Sequence, residues 1–357
     1  MQREVERLRE REPELDIDDP LYKWGIERAK QREQGKVLIR GEEVPWQQSR
    51  HGYGKQYMNH MNWHEMSAPG WKISVTNQQV IKRGKHTHKG GGRLLYVLEG
   101  RGYTVNNDVR LDWQKGDLEI LPITPFENSH EHVNLDPGRP CGMFVIGYWP
   151  FMEVVAYETR QETDSPDWKG PGNDEVYRPK DFVPQEAYVR GYDVAVPDRP
   201  ATLLDSLYRL RNQQRERIAK ARWIVREQDQ LLECNRMGYY RWYVHPDFDD
   251  VVMRHILFWV HEIPPGSRSG KQKHQGGRIH FVVQGEGYSI VDGKRYDWVP
   301  GDLLMLPIKS GGCTCQHFNS GSQTARLACA EPNWSGILGV DMAAGLEQLE
   351  NSPDYAG

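Results

Sequence analysis

No apolar run in the 357 residues approaches the roughly 20 that a membrane-spanning helix needs. Residues 1–7 (MQREVER) are charged and carry no apolar core, so no secretion signal is expected and a cytoplasmic location is. An excess of charge of one sign is also missing. The 46 Lys and Arg stand against 50 Asp and Glu, a formal net charge of −4. That leaves no basic footprint for nucleic acid. Cysteine is scarce and odd in number: Cys141, Cys234, Cys313, Cys315 and Cys329 are scattered, which suits a reducing compartment and not a disulfide framework. The aromatic residues are plentiful. The 12 Trp and 17 Tyr supply large cores or oligomer interfaces, and some of them are expected to line an aromatic substrate pocket. Length alone suggests about two domains, each able to bury a core.

Taken in order, residues 1–35 are charged and helical in pattern, with a break at Asp16–Pro20, and read as an arm packed on a neighbour or partner. The β signal begins near Trp71, where β-branched residues partly alternate with polar ones as far as Ile81. Short apolar strands follow at Leu94–Leu98, Leu118–Leu121 and Met143–Tyr148, and Asn107-Asp108 supplies hairpin-turn chemistry. Residues 151–199 read as a connector rich in turn residues. Ala201–Leu232 reads as one long amphipathic helix, with Pro200 at its first turn and Leu203, Leu204, Leu207, Leu210, Ile218, Ala221 and Val225 on one face. Its apolar stripe is expected to pack on one or both domains. The β pattern returns at Met253–His261.

The chain then repeats itself. Gly100, Gly102, Tyr103, Trp113, Gly116-Asp117, Pro122, His132 and Asn134 match Gly285, Gly287, Tyr288, Trp298, Gly301-Asp302, Pro307, His317 and Asn319. The offset is 185 throughout (285 − 100; 319 − 134). His88 and His274 are 186 apart, which places one extra residue near Gly90–Gly92. A constant offset over this many Gly, Pro, Trp and His positions marks an internal duplication, and two copies mean two similar domains. The expected division is an N-terminal helical arm at 1–60, a first barrel at 61–150, a linker with a long helix at 151–235, a second barrel at 236–335 and a tail at 336–357.

The first copy carries His86-x-His88, then Arg93, Gly100, Gly116, Pro122 and a His130-Glu131-His132-Val133-Asn134 ending. This arrangement resembles the two motifs of the cupins, small antiparallel β-barrels. The whole chain resembles a bicupin, mainly β, with two tandem cupin (jelly-roll) domains, an N-terminal helical arm and a helical linker. Within that superfamily it is similar to the gentisate 1,2-dioxygenase-like proteins, which share two fused barrels, a helical connection and a comparable histidine-rich ending. Three departures stand out. Arg93 and Arg278 occupy the position where cupins usually have Glu. The loop from Pro122 to His130 is about three residues longer than expected. In the second copy His86 becomes Gln272 and His130 becomes Cys315.

Side chains at i and i+2 of a strand share a face, so His86 and His88 can both enter the barrel. A third imidazole from an opposite strand would close one face of an octahedron and leave three adjacent positions open, close to the facial-triad arrangement of non-haem Fe(II) oxygenases. The third ligand is His130 or His132. His130 matches the first His of the family's pair, whereas His132 persists as His317 in the second copy, which points to a supporting or substrate-facing role. An inward-facing Arg93 needs a carboxylate, from a substrate or from a structural partner such as Glu99 or Glu127. In the second copy His274, Cys315 and His317 could still gather, and sulfur there favours zinc. His51, His60, His64, His245, His255 and His261 carry no assignment.

The resemblance implies one Fe(II) per chain, in the N-terminal barrel, held by His86, His88 and His130. It implies O2-dependent cleavage of an aromatic ring bearing hydroxyl and carboxylate groups, gentisate- or salicylate-like, with Arg93 and His132 facing the substrate. The alternatives are another metal-cupin enzyme (an oxygenase cleaving a non-aromatic C–C bond, an isomerase or a hydrolase) and a non-catalytic bicupin that binds or stores a ligand. The expected partners are a small aromatic acid, O2 and further copies of the chain in a dimer or tetramer, with neither nucleic acid nor membrane.

Overall fold

In the computed structural model, residues 19–78, 82–89, 92–107, 109–122, 127–136, 138–153, 158–170, 196, 198–199, 201–333 and 346–357 are described. Four antiparallel sheets form two barrels, each made of a seven-stranded and a five-stranded sheet. The expected strands are present as Trp71–Gln78, Arg93–Glu99, Leu118–Leu121, Cys141–Tyr148 and Ile256–Ile263. The expected hairpin joins Arg101–Asn106 to Val109–Gln114, with Asn107 at φ 45°.

The repeated residues are explained by packing. Trp113 and Trp298 lie fully buried against Gly102 and Gly287, where a Cβ would come within 2.3 Å and 2.6 Å of the indole rings. Gly116-Asp117 and Gly301-Asp302 have a different task, because each barrel borrows a strand from the segment that precedes the other. Leu38–Ile39 pairs with Leu303 and Leu304 of the second barrel, and Ile224–Val225 pairs with Leu118 and Glu119 of the first. The buried Asp302 carboxylate accepts from Arg40 at 2.8 Å and from the Gly41 amide at 2.8 Å. The buried Asp117 does the same with Arg226 at 2.6 Å and the Glu227 amide at 3.2 Å. The exchange is reciprocal down to single hydroxyls: Tyr57 donates to the Gly301 carbonyl and Tyr243 to the Gly116 carbonyl. Between the barrels the seven-stranded sheets share one apolar core, in which Phe144 stacks on Phe281 with ring centroids 4.4 Å apart.

Several boundaries differ from the sequence reading. Residues 1–18 of the arm lie outside the described residues; among those described the arm is helical over Pro20–Gln34, where Asp19 caps the first turn through the Leu21 amide. It is followed by strands Leu38–Ile39, Trp46–Ser49 and Gly52–Met58, which belong to the barrels. The linker helix is Leu203–Lys220, capped by Thr202, and not 201–232. The chain leaves the helix at Ala221 because Ile224–Val225 is taken into the first barrel's sheet and Leu232–Asn235 into the second's. Pro200 lies outside the described residues. The apolar stripe of this helix does not pack on the barrels: Leu203, Leu204, Leu207 and Leu210 are all exposed, Leu203 by 87%. The connector contributes a strand, Glu158–Gln161, and the tail contributes Leu346–Glu350. They close the five-stranded sheets beside His86–Lys89 and Lys271–His274 respectively.

Candidate metal centre

His86 and His88 lie two apart on the strand His86–Lys89. That strand pairs with Glu127–Asn134, and the register sets His130 directly opposite His86. All three rings therefore share one face of the five-stranded sheet. Among the described residues they are the one His/Cys/Asp/Glu group whose ligand atoms all lie within 4.8 Å of one another. His130, and not His132, is thus the residue that joins the pair. Burial, reinforced by the His130 ring, holds His86 and His88 well below the ordinary histidine range, so both are neutral, the form that coordinates a metal. His86 Nδ1 lies 3.2 Å from the Gly84 carbonyl. Donating there fixes the tautomer and leaves Nε2 for the metal. Three imidazoles converging in a barrel fit a divalent transition-metal ion.

His132 is placed differently. Its Nδ1 lies 2.8 Å from the Thr104 hydroxyl, which also accepts from Trp113 Nε1 at 3.0 Å. The second barrel repeats this arrangement: His317 Nδ1 lies 2.7 Å from Ser289 Oγ, which accepts from Trp298 at 2.9 Å. The repeated His-x-Asn ending is therefore a barrel bracing unit, although His132 still borders the cavity. In the first barrel the Thr104 hydroxyl also bonds Glu119 Oε2 at 2.9 Å, and burial pushes the Glu119 carboxyl up to about 8.

A cavity of about 170 Å³ opens beside the three histidines. Lys72, Arg83 and Arg93 line it, together with Gln47, Gln48, Gln56 and Ser74 and a small apolar wall of Leu95, Leu121 and Val145. Arg93 holds Lys72 down to about 7, with burial adding to the effect, so two cationic side chains crowd one region. The expectation that Trp or Tyr would line this pocket is not met: among the described residues its apolar wall is aliphatic.

The second barrel shows what the first has opened. Arg278 Nε donates to Glu331 at 2.7 Å, and His274 Nε2 lies 3.2 Å from the same carboxylate oxygen. Burial alone would raise the Glu331 carboxyl, but Arg278 and His274 outweigh it and hold the group at about 2. By register, Leu94 faces Ile146 as Ile279 faces Ala330, so one step on Gly147 stands where Glu331 stands. The position facing the first barrel's arginine is a glycine where the second barrel has a carboxylate. A Cβ on Gly147 would lie 2.8 Å from Arg93 Nη1. Arg93 Nη1 itself donates to the Gly92 carbonyl and to Met152 Sδ. The side chain of Glu127, a possible partner, lies outside the described part of the structure.

The second-barrel set His274, Cys315 and His317 does not form a compact ligand group. His274 is committed to Glu331 and to the Gly276 amide. Cys315 Sγ is 3.7 Å from His317 Nε2, and burial keeps its thiol protonated. Gln272 accepts from Arg278 and donates to Gln348, and so closes the position that His86 holds in the first barrel.

His51 was passed over by the sequence reading and lies at the site. It sits at the tip of the hairpin between Trp46–Ser49 and Gly52–Met58, its ring 4.3 Å from that of His86, and it lines the cavity. A signal for it exists: Arg50-His51-Gly52-Tyr53 matches Arg236-Met237-Gly238-Tyr239 at the offset of 186, before the boundary assigned to the first barrel.

A family model described as a cupin domain matches residues 259–330. No curated protein sequence matches the chain. Among solved structures, oxalate decarboxylase from Bacillus subtilis at pH 4.6 aligns with 13% identity over 84% of this chain and 76% of its own, at a TM-score of 0.56. A second oxalate decarboxylase structure, concerned with substrate binding mode and a reaction specificity switch, aligns with 13% identity over 88% and 80%, at 0.57. A point mutant of salicylate 1,2-dioxygenase from Pseudoaminobacter salicylatoxidans aligns with 16% identity over 76% and 74%, at 0.47. Residues 259–330 thus match a cupin domain, and the chain as a whole has a fold of two fused barrels that resembles the bicupin structures.

Proposed function

We propose that the protein is a non-haem Fe(II)-dependent dioxygenase that opens the ring of a small aromatic acid carrying hydroxyl and carboxylate groups, gentisate- or salicylate-like. The observation that carries this reading is the trio of His86, His88 and His130 beside a cavity whose charged side chains are basic. One iron per chain, in the first barrel, would supply Lewis acidity for a hydroxylate–carboxylate chelate and an electron path between ring and O2. The chain's own residues bind and orient. Arg93 lines the cavity beside Gly147, and its guanidinium is the natural clamp for the substrate's acid group. Lys72 adds a second cation. Leu95, Leu121 and Val145 offer an apolar wall for the ring. His132 braces the strand that presents His130.

The aliphatic, amide-rich lining favours a second reading: a metal-cupin enzyme acting on a non-aromatic hydroxy- or dicarboxylic acid. One experiment separates the two. The protein is reconstituted anaerobically with Fe(II), and O2 uptake is then followed across hydroxybenzoates and non-aromatic acids. The first reading expects Fe(II)-dependent uptake with loss of ring absorbance. Uptake confined to non-aromatic acids, or turnover of such an acid without O2, favours the second; no uptake with any hydroxybenzoate refutes the first. The exposed leucines of helix Leu203–Lys220, with Leu21, Tyr22 and Trp24 of its counterpart, support a homo-oligomer built on these helices. Among the described residues no helix is long and apolar enough to cross a membrane. We take the site of action to be the cytoplasm.

A further inference from the structure

We propose that His51 is a further ligand-binding residue of the first barrel, hydrogen-bonding through its ring to the anionic group of whatever is held at the His86/His88/His130 centre. The inference rests on the metal-centre reading given above and adds to it a residue from outside both histidine motifs.

Three independent observations converge. The first is position. The hairpin tip brings the His51 ring to 4.3 Å from His86, and both line the same cavity. The tip is held in place by its backbone, since the His51 carbonyl accepts from Arg83 Nε at 3.0 Å and from the Gly84 amide. Gly84 is also the residue whose carbonyl fixes His86. The second is an unmet demand. Among the described residues His51 Nδ1 is buried without a hydrogen-bond partner. A buried polar atom in that state is destabilising unless a ligand or water satisfies it. The third is the internal comparison. The hairpin is kept in the second barrel, where Asn235 pairs with Gly238 as Ser49 pairs with Gly52, and the residue at the tip is Met237. Met237 is buried in an apolar cluster with Tyr240 and Trp259. Thus His51, His86 and His130 become Met237, Gln272 and Cys315 together, while the Thr104–His132–Trp113 bracing unit persists as Ser289–His317–Trp298. His51 goes with the ligand set and not with the architecture. It is not a member of the compact ligand group, so its role is toward the bound ligand and not the ion.

The test uses the full chain loaded with Co(II) and azide as the anionic probe, read by visible absorption. Wild type, His51→Met (the second barrel's own choice) and His51→Gln are compared for Co(II) stoichiometry, the ligand-field spectrum without azide, and azide affinity. The expected result is unchanged Co(II) content and spectrum in both variants. Azide binding should weaken about tenfold or more in His51→Met and largely recover in His51→Gln, which restores a donor. Equal azide affinity in wild type and His51→Met overturns the inference. So does equal loss in both variants, which would mark a packing effect. Loss of Co(II) from His51→Met alone overturns it in favour of a fourth metal ligand. A wild-type protein that takes up no Co(II) refutes the metal centre itself, an outcome distinct from the others.

Discussion

If Gly147 marks the place of a removed carboxylate, restoring one should close the site from within. In the second barrel Glu331 reaches Arg278 at 2.7 Å from the register position that Gly147 holds in the first. Gly147→Glu would start its side chain 2.8 Å from Arg93 Nη1, a guanidinium end that can swing to receive it. The new carboxylate would meet Arg93 as Glu331 meets Arg278 in the second barrel, so the fold should tolerate the change. An incoming acid would then have to forgo a charge-assisted bond to Arg93, worth about 1.5–3 kcal/mol, which is roughly a 10- to 150-fold loss of affinity. The assay is a titration of the Co(II)-loaded protein with a hydroxybenzoate, followed by absorption and calorimetry, with metal content measured alongside. Gly147→Ala is the control for bulk. The expected result is full metal content, an unchanged or higher melting temperature, and weakened acid binding for Glu but much less for Ala. If Gly147→Glu binds the acid as tightly as wild type, the carboxylate subsite is not at Arg93.

Other perturbations test the neighbouring parts. His86→Ala should abolish stoichiometric Co(II) or Fe(II) binding with little loss of stability, checked by metal analysis and thermal melts; retained metal would place the centre elsewhere. Because Arg93 and burial hold Lys72 to about 7, an anion bound beside them should draw a proton onto Lys72. Acid affinity should therefore fall as pH rises from 6 to 8, and Lys72→Met should flatten that slope in calorimetric titrations. Glu119, raised by burial from 4.5 to about 8, binds a proton in the folded state that the unfolded chain has already released in this window. Its contribution is fully present below pH 4.5 and is lost as pH rises through 8. Glu119→Gln should thus gain stability relative to wild type with increasing pH over that range, as read by denaturant melts at pH 5, 6.5 and 8. Asp117→Ala removes the buried acceptor of Arg226 and of the Glu227 and Gln114 amides and should cost roughly 2–4 kcal/mol in chemical unfolding, loosening the exchanged segment without touching the metal ligands.

The duplication, the β character and the two histidines of the first strand were legible in the residues because each is a local or periodic signal. A fixed offset survives as spacing, and alternation in a strand puts His86 and His88 on one face whatever surrounds them. The likeness to the cupin motifs favoured His130 over His132 as the third ligand, but the residues by themselves did not separate the two. They stand two apart and both face inward, and only the neighbouring strand, bringing Thr104 to one and His86 to the other, separates them. The same holds for the segments misread as arm, linker and tail. Leu38–Ile39 and Ile224–Val225 are too short to announce themselves as strands, and what makes them strands is a sheet edge in the other barrel. His51 and Gly147 entered the site through contacts that span tens of residues, Arg83 and Gly84 holding the one and the register with Lys72 placing the other. By itself the sequence determined that there are two barrels and that the first keeps the histidines the second has lost. The tertiary structure decided which side chains meet, because contacts across sheets depend on register, and register is fixed only when the whole barrel closes.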